Sequence, residues 1–237
     1  FRSQYLPLEP KVYEAQIRFG FSSSTYDSEG ELSEFVSPPD DLGAAIESVL
    51  PRYRGMIEQL PPMHSAIKVK GQPLYKYARM GQELERKTRS VHIAEFTVLS
   101  VEGDTVAARI ECSGGTYVRS LAHDVGAELG CGAYLTGLRR TRVGRFHVDA
   151  ACGVDDVSPD RLLPLSQSLP PMPLIQMDAV SMHSIREGRS LEIDPVPDAR
   201  LVALKQPDGE VFSIARVEGN LLHPECVIPA GVFDGTL

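Results

Sequence analysis

The residues of this sequence that first suggest chemistry are cations. Between Ser65 and Ser90 lie Lys68, Lys70, Lys76, Arg79, Arg86, Lys87 and Arg89, against only Glu83 and Glu85. Farther on, Arg139, Arg140, Arg142 and Arg145 form a second cluster with no acid inside it. The 237 residues carry a formal charge of −8, which taken alone argues against a nucleic-acid partner. A phosphate backbone, however, responds to the field within about one Debye length, roughly 8 Å at physiological salt. Two basic patches on an acidic chain are therefore compatible with RNA binding. They are also compatible with solvated helix faces, and charge alone favours that plainer reading.

Other chemistry finds less support. The four cysteines, Cys112, Cys131, Cys152 and Cys226, include no C-x-x-C pair, and the six histidines form no H-E-x-x-H, so no metal is expected. Few thiols without a framework point to a reducing compartment, hence the cytoplasm. Gly114-Gly115 is not a phosphate loop, since no G-x-x-x-x-G-K-[ST] surrounds it. Cys112 falls on the apolar face of a strand pattern, where a thiol is core packing rather than a nucleophile. A Ser-His-Asp assembly can be drawn from almost any chain this rich in serine and carries little weight. No run of 18 apolar residues predicts a membrane span.

The elements that must position these residues are legible in part. Tyr13, Ala15, Ile17 and Phe19 alternate with Glu14, Gln16 and Arg18, the period of a strand with one buried face. Phe21 to Gly30 is rich in serine and reads as a loop. Leu42, Ile46, Val49 and Leu50 recur at helical spacing, and Pro51 should end or kink that helix. Gln59-Leu60-Pro61-Pro62 forces an extended connection, and a short helix is expected somewhere in Leu74 to Glu85. Val91 to Val101 and Val106 to Cys112 predict a hairpin turning at Glu102-Gly103-Asp104. Leu121, Val125 and Leu129 predict a helix closed by Gly130. Ser158 to Pro173 reads as a linker. Beyond it a helix over Ala179 to Glu187 and a hairpin around Pro207-Asp208-Gly209 suggest a small β-rich module. Mixed strands and helices with adjacent hairpins predict an α+β fold.

Four stretches carry a resemblance. They are Lys11-Val12-Tyr13-Glu14-Ala15; Gln59 to Lys68 with Gly71, Leu74-Tyr75, Ala78-Arg79 and Gly81; Cys112-Ser113-Gly114-Gly115-Thr116-Tyr117-Val118-Arg119-Ser120-Leu121-Ala122; and Leu138-Arg139-Arg140-Thr141 with Gly144 and Phe146. In this order, with these gaps, the sequence resembles the TruB-type tRNA pseudouridine synthases. The tail from about Met172 is more loosely similar to the PUA-like RNA-binding module of bacterial members. The chain departs from the family pattern at Ser23-Ser24-Thr25, where Thr-Asp-Thr is frequent, at His64 in place of Tyr, and at Gly114 in place of Lys.

The resemblance implies a largely antiparallel mixed sheet spanning residues 1–160, with an RNA-gripping insertion at about 62–90 and a PUA-like module at 171–237. It implies isomerisation of the T-loop uridine at position 55 of tRNA to pseudouridine after base flipping, without metal or cofactor, by a protein expected to be monomeric. Tyr117 would stack on the flipped uracil and take part in proton transfer at C5. Arg119 would keep the catalytic carboxylate ionised, and an extended segment would point it to the same side as Tyr117. Tyr13 and Leu138 would wall the pocket. Lys68, Lys70, Lys76, Arg79, Arg86, Lys87, Arg89, Arg139 and Arg140 would hold phosphates of the T-arm. The family's catalytic aspartate lies in a Gly-x-Leu-Asp-Pro motif that does not occur here, and no other carboxylate is nominated for its role. Since the chain opens on Phe1 rather than Met, the expectation is that the segment carrying that motif is missing. The rival readings are a tRNA-binding protein or RNA chaperone without catalysis, and the catalytic subunit of a guide-RNA particle.

Overall fold

The computed structural model describes residues 5, 6, 8–69 and 71–229. Lys70, one of the expected phosphate contacts, lies outside them. The chain divides into two compact units, Leu8–Ala151 and Cys152–Leu237, the latter joined by the first seven residues. The division falls before residue 160, where the first domain was expected to end.

In the first unit the elements are β1 (Lys11–Phe19), α1 (Leu42–Val49), β2 (Gly55–Gln59), β3 (Lys68–Val69), β4 (Gln72–Pro73), α2 (Leu74–Arg79), β5 (Arg89–Glu102), β6 (Thr105–Cys112), α3 (Val118–Glu128), β7 (Ala133–Val143) and β8 (Phe146–His147). Among the described residues a six-stranded antiparallel sheet runs β2-β5-β6-β1-β7-β8. The period-two patterns hold: Ala15, Ile17 and Phe19 on β1, and Val106, Ala108, Ile110 and Cys112 on β6, are all buried. Glu102 pairs with Thr105 across a two-residue turn, where Gly103 takes the positive φ (62°) that such turns favour. α1 is capped by the Asp41 carboxylate, which accepts from the Ala44 amide at 2.9 Å. The helix ends at Val49, before Pro51 as expected, and a 3₁₀ turn, Leu50–Tyr53, follows.

α3 buries Val118, Leu121, Ala122 and Val125 against the core shared with β1 and β7. Its approach to β7 is close: a Cβ on Gly126 would lie 2.1 Å from the Ala133 amide nitrogen, so no larger residue fits there. β7, an eleven-residue strand, was not anticipated. Its register against β1 shifts twice, between Val12 and Tyr13 and between Gln16 and Ile17. These bulges break the period-two pattern, and the three arginines at 139, 140 and 142 obscure what is left of it.

The second unit contains α4 (Leu165–Ser168), β9 (Leu174–Gln176), α5 (Ala179–Arg186), β10 (Leu191–Glu192), β11 (Leu201–Lys205), β12 (Val211–Glu218) and β13 (Leu221–Val227). Its sheet runs β10-β13-β12-β11-β9, with β9 parallel to β11. The expected hairpin at Pro207-Asp208-Gly209 and the helix after Asp178 are present. Part of the stretch read as a linker is packed instead. Leu169 is buried with Tyr5, Ala203, Val211 and Ile214.

Candidate active site

A cavity of about 360 Å³ opens on the first unit, lined by Tyr13, Asp27, Thr116, Tyr117, Val118, Arg119, Leu135 and Leu138. All four residues expected to form the site are therefore brought together. β1 and β7 build one wall. Residues three apart in a regular strand would face opposite sides of the sheet. The bulge beside Thr136 corrects this for Leu135 and Leu138, which pair with Ile17 and Ala15 on a single face. Leu135 is 7% exposed and belongs to the core, whereas Leu138 is 47% exposed and projects as a free apolar edge.

The opposite wall is the start of α3. Tyr117 is its N-cap and Arg119 lies in its first turn, so the extended run expected for Tyr117-Val118-Arg119 is not present. At a helix start the Tyr117 amide has no intrahelical acceptor, while its carbonyl already accepts from the Ser120 amide at 3.1 Å. Gln59, the last residue of β2 and 2% exposed, bonds to both groups: its Oε1 accepts from the Tyr117 amide at 2.8 Å and its Nε2 donates to the Tyr117 carbonyl at 3.0 Å. Ser120, fully buried, adds a longer bond to the Leu60 carbonyl, 3.4 Å. The Gln59-Leu60 connection thus pins the helix end that carries the site.

Arg119 is not left without a partner. Its Nη1 donates to Asp27 Oδ2 at 2.5 Å and its Nη2 to the His64 carbonyl. The two side chains are 21% and 19% exposed, which separates the pair from an ordinary surface salt bridge. A cation in the first turn of a helix opposes the helix dipole; Asp27 supplies the counter-charge from a loop 92 residues earlier. Burial alone would raise the Asp27 carboxyl. The Thr25 hydroxyl at 2.5 Å, Arg119 and the Glu29 amide at 3.2 Å outweigh it and hold the group below its usual range, hence ionised. No short-range signal marks this pair, whose members lie 92 residues apart. At Gly30 a Cβ would fall 2.4 Å from Ser23 Oγ and 2.6 Å from the Thr25 amide, so the turn closes only around glycine. Burial also raises the Tyr13 phenol above its ordinary value, although Arg140 beside it pulls the other way.

The cations expected on RNA are placed unequally. Lys68, Lys76, Arg79, Lys87 and Arg89 are exposed. Arg86 is not free in this way: it donates to the Pro61 carbonyl at 3.0 Å and pairs with Glu83 at 3.3 Å, with a side chain 11% exposed. Arg139 and Arg140 are separated by the alternation of β7. Arg140 pairs with Tyr13 on the cavity side, and Arg139 with Glu14 on the other face, among Arg109 and Arg142. Among the described residues no cluster of three or more His, Cys, Asp or Glu could hold a metal ion, and no helix is long and apolar enough to cross a membrane.

The slot suits a planar ring held between aromatic and apolar walls beside an ionised pair. Comparison with known proteins agrees. Residues 2–118 match the N-terminal domain of TruB family pseudouridylate synthases, and residues 119–163 match the tRNA pseudouridylate synthase B C-terminal domain. A protein named tRNA pseudouridine synthase B from Pseudomonas fluorescens (strain Pf0-1) is 39% identical over 239 residues, covering 95% of this chain and 78% of that protein. A protein of the same name from Burkholderia lata is 40% identical over 237 residues, covering 95% and 73%. The chain belongs to the TruB family of pseudouridylate synthases. In a crystal structure of a Cbf5-Nop10-Gar1 complex, one chain superposes with a TM-score of 0.64 at 22% identity, covering 94% of this chain and 68% of that one. At that identity the likeness is one of fold, so it does not favour the guide-RNA reading.

Proposed function

We propose that this protein converts uridine 55 in the T-loop of tRNA to pseudouridine, acting as a monomer in the cytoplasm and without metal or cofactor. The observation that carries the reading is the partly buried Arg119–Asp27 pair set into a slot walled by Tyr13, Tyr117 and Leu138. A stacked base must first leave the loop, at a cost of a few kcal/mol. Stacking on an aromatic side chain returns about 1–3 kcal/mol per base, and Tyr117, with its backbone clamped by Gln59, presents such a ring in one place.

The reaction is an isomerisation, so no co-reactant is required. The bond from N1 to C1′ of the ribose breaks, the uracil turns, C5 bonds to C1′, and the proton on C5 is lost while N1 gains one. By family resemblance Tyr117, which lines the slot, takes part in moving the C5 proton. Arg119, held by Asp27 and the His64 carbonyl, places a fixed positive charge in the slot, which keeps a nearby carboxylate ionised and nucleophilic. Asp27 is not that nucleophile, because its oxygens are occupied by Thr25, Glu29 and Arg119. By family resemblance the nucleophile belongs to the Gly-x-Leu-Asp-Pro motif that these 237 residues do not contain.

The exposed cations Lys68, Lys76, Arg79, Lys87 and Arg89, with Arg140 beside the slot, support a T-arm contact. Lys70 joins them by sequence alone. The β-rich second unit would act as a PUA-like RNA-binding module. Tritium release from tRNA labelled at uridine C5, using the full-length protein, tests the proposal. Release that disappears when uridine 55 is replaced supports it. Binding of tRNA without release would favour an RNA chaperone.

A further inference from the structure

Asp27 can orient Arg119 only if the loop from Ser23 to Leu32 holds it at the right height and rotation. The residue before it is unusual. Tyr26 has a φ of 67°, the one positive value at a non-glycine among the described residues. A bulky side chain in that region is strained, and glycine or asparagine would adopt it more easily. The tyrosine ring has a partner that accounts for its presence. It stacks on His123 with centroids 3.8 Å apart and planes within 15°.

His123 is four residues after Arg119 on α3, on the same side of the helix one turn along. Two consecutive loop residues, Tyr26 and Asp27, therefore grip two consecutive turns of one helix, the first by ring stacking and the second by an ion pair. The backbone here is fixed separately: the Tyr26 amide donates to the Ser23 carbonyl at 3.1 Å, and its carbonyl accepts from the Leu135 amide at 3.0 Å. The ring therefore adds what these bonds do not, a lateral stop against α3. Neither ring is part of the fully buried core, and His123 Nδ1 is buried with no hydrogen-bond partner in the protein. The imidazole is used there as a flat surface.

We propose that the Tyr26–His123 stack is a positioning device that aims the Asp27 carboxylate at Arg119, so that the guanidinium is held in the orientation the isomerisation uses. This rests on the function proposed above. Tyr26 and His123 do not face the slot, so they act through Asp27 and are positioning residues.

The test is single-turnover kinetics on tRNA with the full-length protein. Tyr26→Asn keeps the tolerance for positive φ and removes the ring. It is expected to slow isomerisation by about tenfold, as misplacement of a catalytic group does, while the tRNA dissociation constant stays put. His123→Ala should do the same, and Tyr26→Phe, which retains the stacked ring, should recover the rate. In an Asp27→Asn background the further loss from Tyr26→Asn should vanish, because the stack then has nothing left to aim. A wild-type rate for Tyr26→Asn, failure of Tyr26→Phe to recover, or a full loss persisting beside Asp27→Asn would overturn the proposal. Should Tyr26→Asn not fold, His123→Ala carries the same comparison. A wild-type protein that never isomerises uridine would sink the functional reading instead. The stack would then be judged by NMR of the Arg119 guanidinium, whose hindered rotation should be lost in His123→Ala and whose persistence would overturn the inference.

Discussion

The slot and the basic insertion are built by opposite rules. Around the slot nearly every polar group is fixed by another: Gln59 holds both backbone groups of Tyr117, Ser120 reaches Leu60, and Arg119 is shared between Asp27 and His64. The insertion is held lightly. Among its described residues are two strands of two residues each and a six-residue helix, tied back mainly through buried Leu74 and the bonds of Arg86 to Pro61 and Glu83. Lys68, Lys76, Arg79, Lys87 and Arg89 are exposed to water. The difference follows from the two tasks. Moving a proton and a glycosidic bond tolerates little misplacement, so the groups must be set before the substrate arrives. A phosphate chain asks for charge density, and release of its counterions repays ordering at the moment of binding.

The comparison breaks most readily at Tyr117. Tyr117→Ala should abolish isomerisation while leaving tRNA affinity nearly intact; measurable normal turnover would show that the slot is not the reaction site. Arg119→Lys comes next. It keeps the charge but cannot span Asp27 and the His64 carbonyl together, and a loss of roughly a hundredfold or more in single-turnover rate is expected, in the range for removal of a preorganised donor. Gln59→Leu should lower stability by about 1–3 kcal/mol in urea, because it strands the Tyr117 amide, whose only acceptor among the described residues is Gln59, and should slow the reaction without altering the salt dependence of binding. On the insertion the pattern should invert. Lys76→Glu or Lys87→Glu should weaken tRNA binding and lower the slope of log affinity against log salt by about 1, with thermal stability within about 0.5 kcal/mol of the parent. An insertion variant that lost stability, or a slot variant that lost only salt dependence, would erase the distinction.

Much of this division was legible before any coordinates. The alternation of Ala15, Ile17 and Phe19 identified β1, the Val106 to Cys112 pattern identified β6, and the motif around Thr116-Tyr117-Val118-Arg119 pointed to the slot. What escaped was non-local or irregular. Asp27 meets Arg119 across 92 residues, so no window of sequence contains the pair. Gln59 looked like one end of an extended connection, and its two bonds to Tyr117 span 58 residues. Leu135 and Leu138 share a face only because β7 is bulged. Arg139 and Arg140, neighbours in a basic cluster, are sent to opposite faces by the strand they occupy, which the charges themselves concealed.

The smallest expected effect concerns the rigid half alone. Asp124 lies on α3, one turn past Ser120, and burial raises its carboxyl to about 6. In the unfolded chain the same group titrates near its ordinary value of about 3.9. The folded protein therefore binds that proton more tightly, and stability falls as pH rises from about 4 to about 6, then levels off. Asp124→Asn should leave stability unchanged near pH 4 and raise it at pH 7 by about 1–2 kcal/mol, after allowance for partial exposure. Lys76→Gln on the insertion should show no such pH-dependent gain. Urea melts at the two pH values are sufficient. A difference between Asp124→Asn and the parent that does not change with pH would mean that water reaches the carboxyl in solution. The helix that carries Arg119 would then be looser than the slot requires, and the contrast between the two regions would shrink to one of charge alone.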